Sequence, residues 1–107
     1  MKGLVFLGSS QDDLRAMPAV IRHALGNELM RVQFGGEPMD FKPMPAVGPG
    51  AYEIRVRDVT GAFRVIHVAK FVDAIYVLHA FQKKTQKTAR SDLELATWRY
   101  KLIGRRR

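Results

Sequence analysis

Between residues 51 and 82 the chain sets three strand-like runs almost end to end, with only short turn segments between them. "YEIRVR" (52–57) alternates with period two, placing Tyr52, Ile54 and Val56 on one face and Glu53, Arg55 and Arg57 on the other. "DVTGA" (58–62) reads as a turn, "FRVIHVAKF" (63–71) as a second strand, "VD" as a turn, and "AIYVLHAFQ" (74–82) as a third strand. A meander of this kind, in place of alternating strand and helix, predicts an α+β fold with a mainly antiparallel twisted sheet.

The turns also predict a register. Pairing Arg57 with Ala62 puts Arg55 opposite Arg64. If Val72 and Asp73 form a two-residue turn, Phe71 meets Ala74, Arg64 meets Phe81, and Ile66 meets His79. Residues directly opposite share a face, so Glu53, Arg55, Arg57, Arg64, His79 and Phe81 are expected on one side, with Lys83 extending the row. Tyr52, Ile54, Val56, Phe63, Val65, Tyr76 and Leu78 form the other side, where helices are expected to pack.

Those helices are legible elsewhere. "GLVFL" (3–7) reads as a first strand. Ser9 or Ser10 caps a helix with Asp12 and Asp13 in its first turn. Pro18 opens a second helix, along which Ile21, Ala24, Leu25, Leu29 and Val32 recur at helical spacing until "FGG" (34–36) ends it. "EPMDFKPMPAVGPG" (37–50) holds four of the five prolines and is expected to be a stiffened connector, neither helix nor central strand. Ser91 caps a last helix with Leu93, Ala96, Tyr100 and Ile103 on one face, running into "GRRR" (104–107). The expected order is β-α-α-β-β-β-α in a single domain, residues 1–107, with the helices on one face of the sheet.

Charge then narrows the function. Eighteen Lys and Arg against ten Asp and Glu give a net charge of +8, a field that favours polyanions. There is no cysteine, which excludes disulfides and thiolate metal sites, and no apolar run of the roughly 18 residues a membrane span needs. The expected location is cytoplasmic. No phosphate-binding glycine motif is present, no serine or cysteine sits in a nucleophilic setting, and the three histidines lack metal-ligand spacing. No metal or other cofactor is expected. His23 is expected at the surface and His67 in the interior as a hydrogen-bonded residue.

Two like charges such as Arg55 and Arg64 repel when directly opposed, so either an anion bridges them or Glu53 neutralises one. The remaining set is cations, one histidine and one aromatic, and it matches what metal-free RNA cleavage requires. The RNA's own 2′-OH attacks the neighbouring phosphate while the protein stabilises phosphate charge and moves protons. Arginine suits the first task, histidine the second, and an aromatic can hold an unstacked base.

The stretch "KPMPAVGPGAYEIRVRDVTGAFRVIHVAKFVDAIYVLHAFQKKTQKTARSDLELATWR" (42–99) closely resembles the phage-derived HigB-like toxins of type II toxin–antitoxin systems, in the RelE/ParE superfamily. "YEIRVRD", the "FRV" after the turn, "VLHAFQKKTQKT" and "SDLELA" carry the likeness most specifically, and "LGSSQDDLRAMP" extends it to the N-terminus. The resemblance implies an mRNA endoribonuclease that works on the ribosome without metal and blocks translation. It implies Arg64 as the group stabilising the scissile phosphate, with Arg55, Lys84 and His79 completing the catalytic set. Arg57, Phe81, Lys83 and Lys87 are the implied RNA contacts, although Lys87 also suits a merely solvated position. His79 lies within its strand, where relatives carry the histidine or tyrosine nearer the C-terminus; Tyr100 is such a residue, on an apolar helix face. The implied partners are a helix-turn-helix antitoxin, through which operator DNA is reached, and the ribosome with its mRNA. Two other readings stay open: a ParE-like DNA gyrase inhibitor, and a non-catalytic nucleic-acid-binding protein of phage origin.

Overall fold

A computed structural model describes residues 1–106; of the basic terminal run, Arg107 lies outside them. Five strands and three helices follow in the order β1 (Gly3–Phe6), α1 (Ser10–Arg15), α2 (Ala19–Gln33), β2 (Phe41–Pro43), β3 (Ala51–Asp58), β4 (Gly61–Val68), β5 (Ala74–Lys83) and α3 (Arg90–Arg106). They build one sheet in the order β1-β5-β4-β3-β2, in which β1 runs parallel to β5 and every other pair is antiparallel. The α+β class and the meander therefore stand. No helix is long and apolar enough to cross a membrane among the described residues.

The helix signals translate with small changes. Ser9 is the N-cap of α1, but its hydroxyl donates to Asp13 Oδ2 at 2.7 Å and accepts no capping hydrogen bond from the helix's first N–H groups. Pro18 is the cap of α2, one position before the helix proper. Gly35, at φ +87°, supplies the left-handed residue that ends it. Ser91 falls inside the first turn of α3, which starts one residue earlier.

Three expectations need correction. The connector contains a strand: β2 pairs Phe41 with Ile54, Lys42 with Glu53 and Pro43 with Tyr52. It is the outermost strand, where a proline without an N–H is tolerated. Second, the helices occupy both faces. Leu14, Ile21, Leu25 and Leu29 of α1 and α2 pack on Ile54, Phe63, Val65 and Val77, while Ala96 and Ile103 of α3 pack on Ile66, Val68 and Tyr76. The second face is apolar at the Val68 end, so it too must be covered; only its other end is charged.

Third, Tyr76 and Leu78 belong to the α3 side. The β4–β5 ladder runs Arg64–Phe81, Val65–Ala80, Ile66–His79, then shifts to His67–Val77 and Val68–Tyr76. Leu78 is the extra residue of this bulge, and beyond it the strand's parity inverts. The Leu78 carbonyl accepts a hydrogen bond from Arg99 Nη1 at 2.9 Å.

Candidate nucleic-acid interface

The register stacks three cross-strand rows on the charged end of the α3-side face. They are Lys42–Glu53–Ile66–His79, Arg55–Arg64–Phe81, and Arg57–Ala62–Lys83. Ala62, small and flanked by two long cations, leaves a hollow. Arg55, Arg57, Ala62, Arg64 and the segment Lys83, Lys84, Thr85 and Gln86 line this recess of about 690 Å³. The β5 strand ends at Lys83, and the chain beyond it folds over to supply the recess wall.

Glu53 organises the cations. Its carboxylate is 1 % exposed and lies 3.3 Å from Arg64 Nε and 3.9 Å from Arg55 Nε. It also accepts a hydrogen bond from Thr88 Oγ1 at 2.9 Å, tying the 84–89 segment to the sheet. The anion between the opposed arginines is thus built in. Arg64 is itself 3 % exposed; its Nη1 donates to the Phe63 carbonyl at 3.1 Å, while Nε meets Glu53 as an ion pair without hydrogen-bond geometry. Burial lowers the Arg64 pKa, with Glu53 opposing that shift. Asp40, 4.0 Å from Arg55 Nη1, is the second acid near this face. Arg57 and Lys84 are exposed, and neither forms an ion pair among the described residues. Lys83 is held below the ordinary lysine range, first by desolvation and then by the neighbouring Arg64.

His79 and Phe81 stand apart. Both lie on the expected face, yet neither lines the recess. His79 is 6 % exposed, its Nε2 is 2.7 Å from Asp92 Oδ1, and its ring stacks on Phe81 at 4.6 Å between centroids. The first turn of α3 covers this part of the sheet, so parity gave the correct face but not the depth. His79 and Phe81 thus share the face of Arg64, as expected, but both are buried there. Lys87 is exposed and borders a neighbouring hollow with Lys42, Met44, Gln86 and Thr88.

Of the other residues weighed from sequence, His23 is exposed. His67 is buried on the α2 side, its Nδ1 has no partner, and burial pushes its imidazole down to about 4. Tyr100 is a strut: it donates to the Pro49 carbonyl at 2.6 Å and accepts from Lys70 Nζ at 3.1 Å. No group of three or more histidine or acidic side chains among the described residues is placed to hold a metal ion.

A family model described as "Phage derived protein Gp49-like (DUF891)" matches residues 12–101. The chain belongs to the Gp49-like family. A search of curated proteins gives no match. Among solved structures, this Gp49-like protein is similar to the E. coli toxin RelE, determined as a double arginine-to-alanine mutant in the free state. The match has a TM-score of 0.66 over 95 % of this chain and 97 % of that one, at 17 % sequence identity. The Gp49-like protein therefore has a RelE-like fold.

Sequence reasoning missed Lys42, Gln86 and Thr88 of this Gp49-like interface. Lys42 lies in the proline-rich segment that gave no strand signal. Gln86 and Thr88 follow the last strand, where no periodicity tells which way a side chain turns. Glu53 was visible as one acid within a basic row, and that isolation was the available signal.

Proposed function

We propose that this Gp49-like protein is the toxin of a type II toxin–antitoxin system. In this reading it is a HigB-like endoribonuclease that cuts ribosome-bound mRNA without a metal ion. The observation that carries the reading is the recess over Ala62, where Arg55, Arg57, Lys83 and Lys84 converge around a hollow. Such a cluster suits the developing charge of a phosphate attacked by the adjacent 2′-OH. Arg57, Lys84 and the outward part of Arg55 hold the phosphate oxygens. Arg64, fixed by Glu53, keeps the field positive from beneath and orders Arg55. Lys83, half-buried in the recess lining, is the amine placed to exchange a proton with the reacting oxygens. His79 then acts as a positioning residue that anchors the start of α3 through Asp92. The partner is a small helix-turn-helix antitoxin that reaches operator DNA on the toxin's behalf, and the work is done on cytoplasmic ribosomes.

The test is brief induction in cells followed by mapping of new mRNA 5′ ends. The wild-type protein should arrest growth and produce cuts. An Arg57→Ala, Lys84→Ala double variant should fold and lose cleavage by about 100-fold or more. Intact mRNA with rising DNA-damage signalling would replace this reading by gyrase inhibition. Intact mRNA with neither effect would leave a non-catalytic binding protein.

A further inference from the structure

The cationic recess borders a second hollow of about 390 Å³, with which it shares Arg55, Lys83 and Gln86 as lining residues. The two differ in character. The first is lined mainly by charged and polar side chains; the second counts Pro43, Met44, Pro45, Ala46 and Leu93 in its lining. Lys42, Arg55, Lys83 and Lys87 also line it, while its carboxylate, Glu53, is already committed to Arg64 and Thr88. A partly apolar hollow lined by cations, next to a cationic recess, is complementary to a flat, apolar ring that carries an anion beside it. A nucleotide has that make-up. The volume lies at the small end of ligand pockets and is ample for one base. Proline rings and the Met44 thioether offer surfaces that an aromatic ring contacts favourably.

One side chain can read such a base. Gln86 lines both hollows, is exposed, and makes no hydrogen bond to the described residues. Its amide offers two donor hydrogens and an acceptor, the combination that pairs with a base edge presenting both.

We propose that the second hollow receives one unstacked RNA base next to the phosphate held in the recess, and that Gln86 sets which base is preferred. The inference rests on the RNA reading given above. The test uses the purified full chain and short single-stranded RNAs made uncleavable by 2′-deoxy substitution at the cleaved position, each with its base intact or with one abasic nucleotide. Fluorescence anisotropy is followed across a salt series for the wild type, Gln86→Ala and Ala46→Trp. Ala46 is an exposed loop residue, so the added indole fills the slot without entering the core. Wild type should lose about tenfold in affinity when the base is removed. Ala46→Trp should not distinguish intact from abasic RNA. Gln86→Ala should reduce the spread among the four bases by about tenfold with an unchanged salt slope. Equal binding of intact and abasic RNA by the wild type, with the salt slope retained, overturns the base site and leaves the phosphate recess standing. Absence of RNA binding by the wild type, both with free RNA and with RNA programmed into purified ribosomes, overturns the two readings together. Should Ala46→Trp unfold, Gln86→Ala still decides: unchanged base preference removes the assigned role.

Discussion

Glu53 and Arg64 sit side by side in a nearly water-free part of the sheet, and each makes the other tolerable. Removing one partner of a buried pair strands the other's charge, so Arg64→Ala should lower stability by about 3–5 kcal/mol in urea unfolding. The double change Glu53→Gln with Arg64→Met should lose much less; additive losses would show that the pair is not coupled. Loss of activity in Arg64→Ala alone therefore says little about catalysis, whereas Arg57, exposed and unpaired, can be truncated within about 0.5 kcal/mol of native stability. His67 gives a pH signature. Its imidazole is held at about 4 when folded, against an ordinary value of 6.5. Between these values the unfolded chain binds a proton that the folded chain refuses, so stability falls as pH drops from 6.5 toward 4, by up to about 3 kcal/mol. His67→Phe should flatten that part of the profile in urea midpoints taken at pH 7, 6 and 5. An identical slope in the two proteins would sink the assignment.

At the scale of elements, β5 shows what could and could not be seen beforehand. Counting back from a two-residue turn at Val72 and Asp73 gives Arg64–Phe81 and Ile66–His79, which are the observed pairs. The count succeeds through two offsetting departures: the ladder next to the turn, Val68–Tyr76, is one residue out, and the Leu78 bulge restores it. "AIYVLHAFQ" is apolar on both faces, so nothing in its pattern betrays a change of parity. "YEIRVR" alternates charge with apolar residues, and its facing was legible for that reason. The β2 strand was hidden because three residues with a proline carry no period. The bulge itself is held from outside: Arg99 donates to Leu78 O and, through Nη2, to Ser9 Oγ at 3.1 Å, joining α3, β5 and the entry to α1. Arg99→Met keeps the stem and loses both bonds, so a loss of about 2–3 kcal/mol is expected from thermal or urea unfolding. A change within experimental error would mean the bulge needs no such support. Gly48 makes a similar point on the other side of α3, since a Cβ there would come within 2.7 Å of the Tyr100 ring. Gly48→Ala should cost about 1–3 kcal/mol by overpacking.

Across the whole molecule, the net charge of +8 indicated a polyanion, but only the fold gathers the effective cations at one end of one face. If Arg55, Arg57, Lys83 and Lys84 engage the phosphate in the recess and its neighbours along single-stranded RNA, about four in all, log K against log salt should fall with a slope of about −3. Arg57→Ala or Lys84→Ala should each make it shallower by about 0.7, a change that anisotropy titrations between 50 and 300 mM salt resolve. A slope near zero would show that the field does not do the binding. Composition and spacing thus gave the fold class, the charged face and its principal arginines. What they left out was depth, because burial of Arg64 and His79 depends on α3 and on the 84–89 segment, both distant in sequence from β3. The same connectivity governs timing. The first strand of the chain, β1, finds its partner only in Ala74–Val77, and the recess lacks a wall until residues 83–86 are in position. A chain emerging from its amino end cannot close the sheet early, and contacts so far apart make closure slow once it is possible. The cationic recess is therefore among the last parts of the molecule to form, and its charges come together as one surface only when the chain is nearly complete.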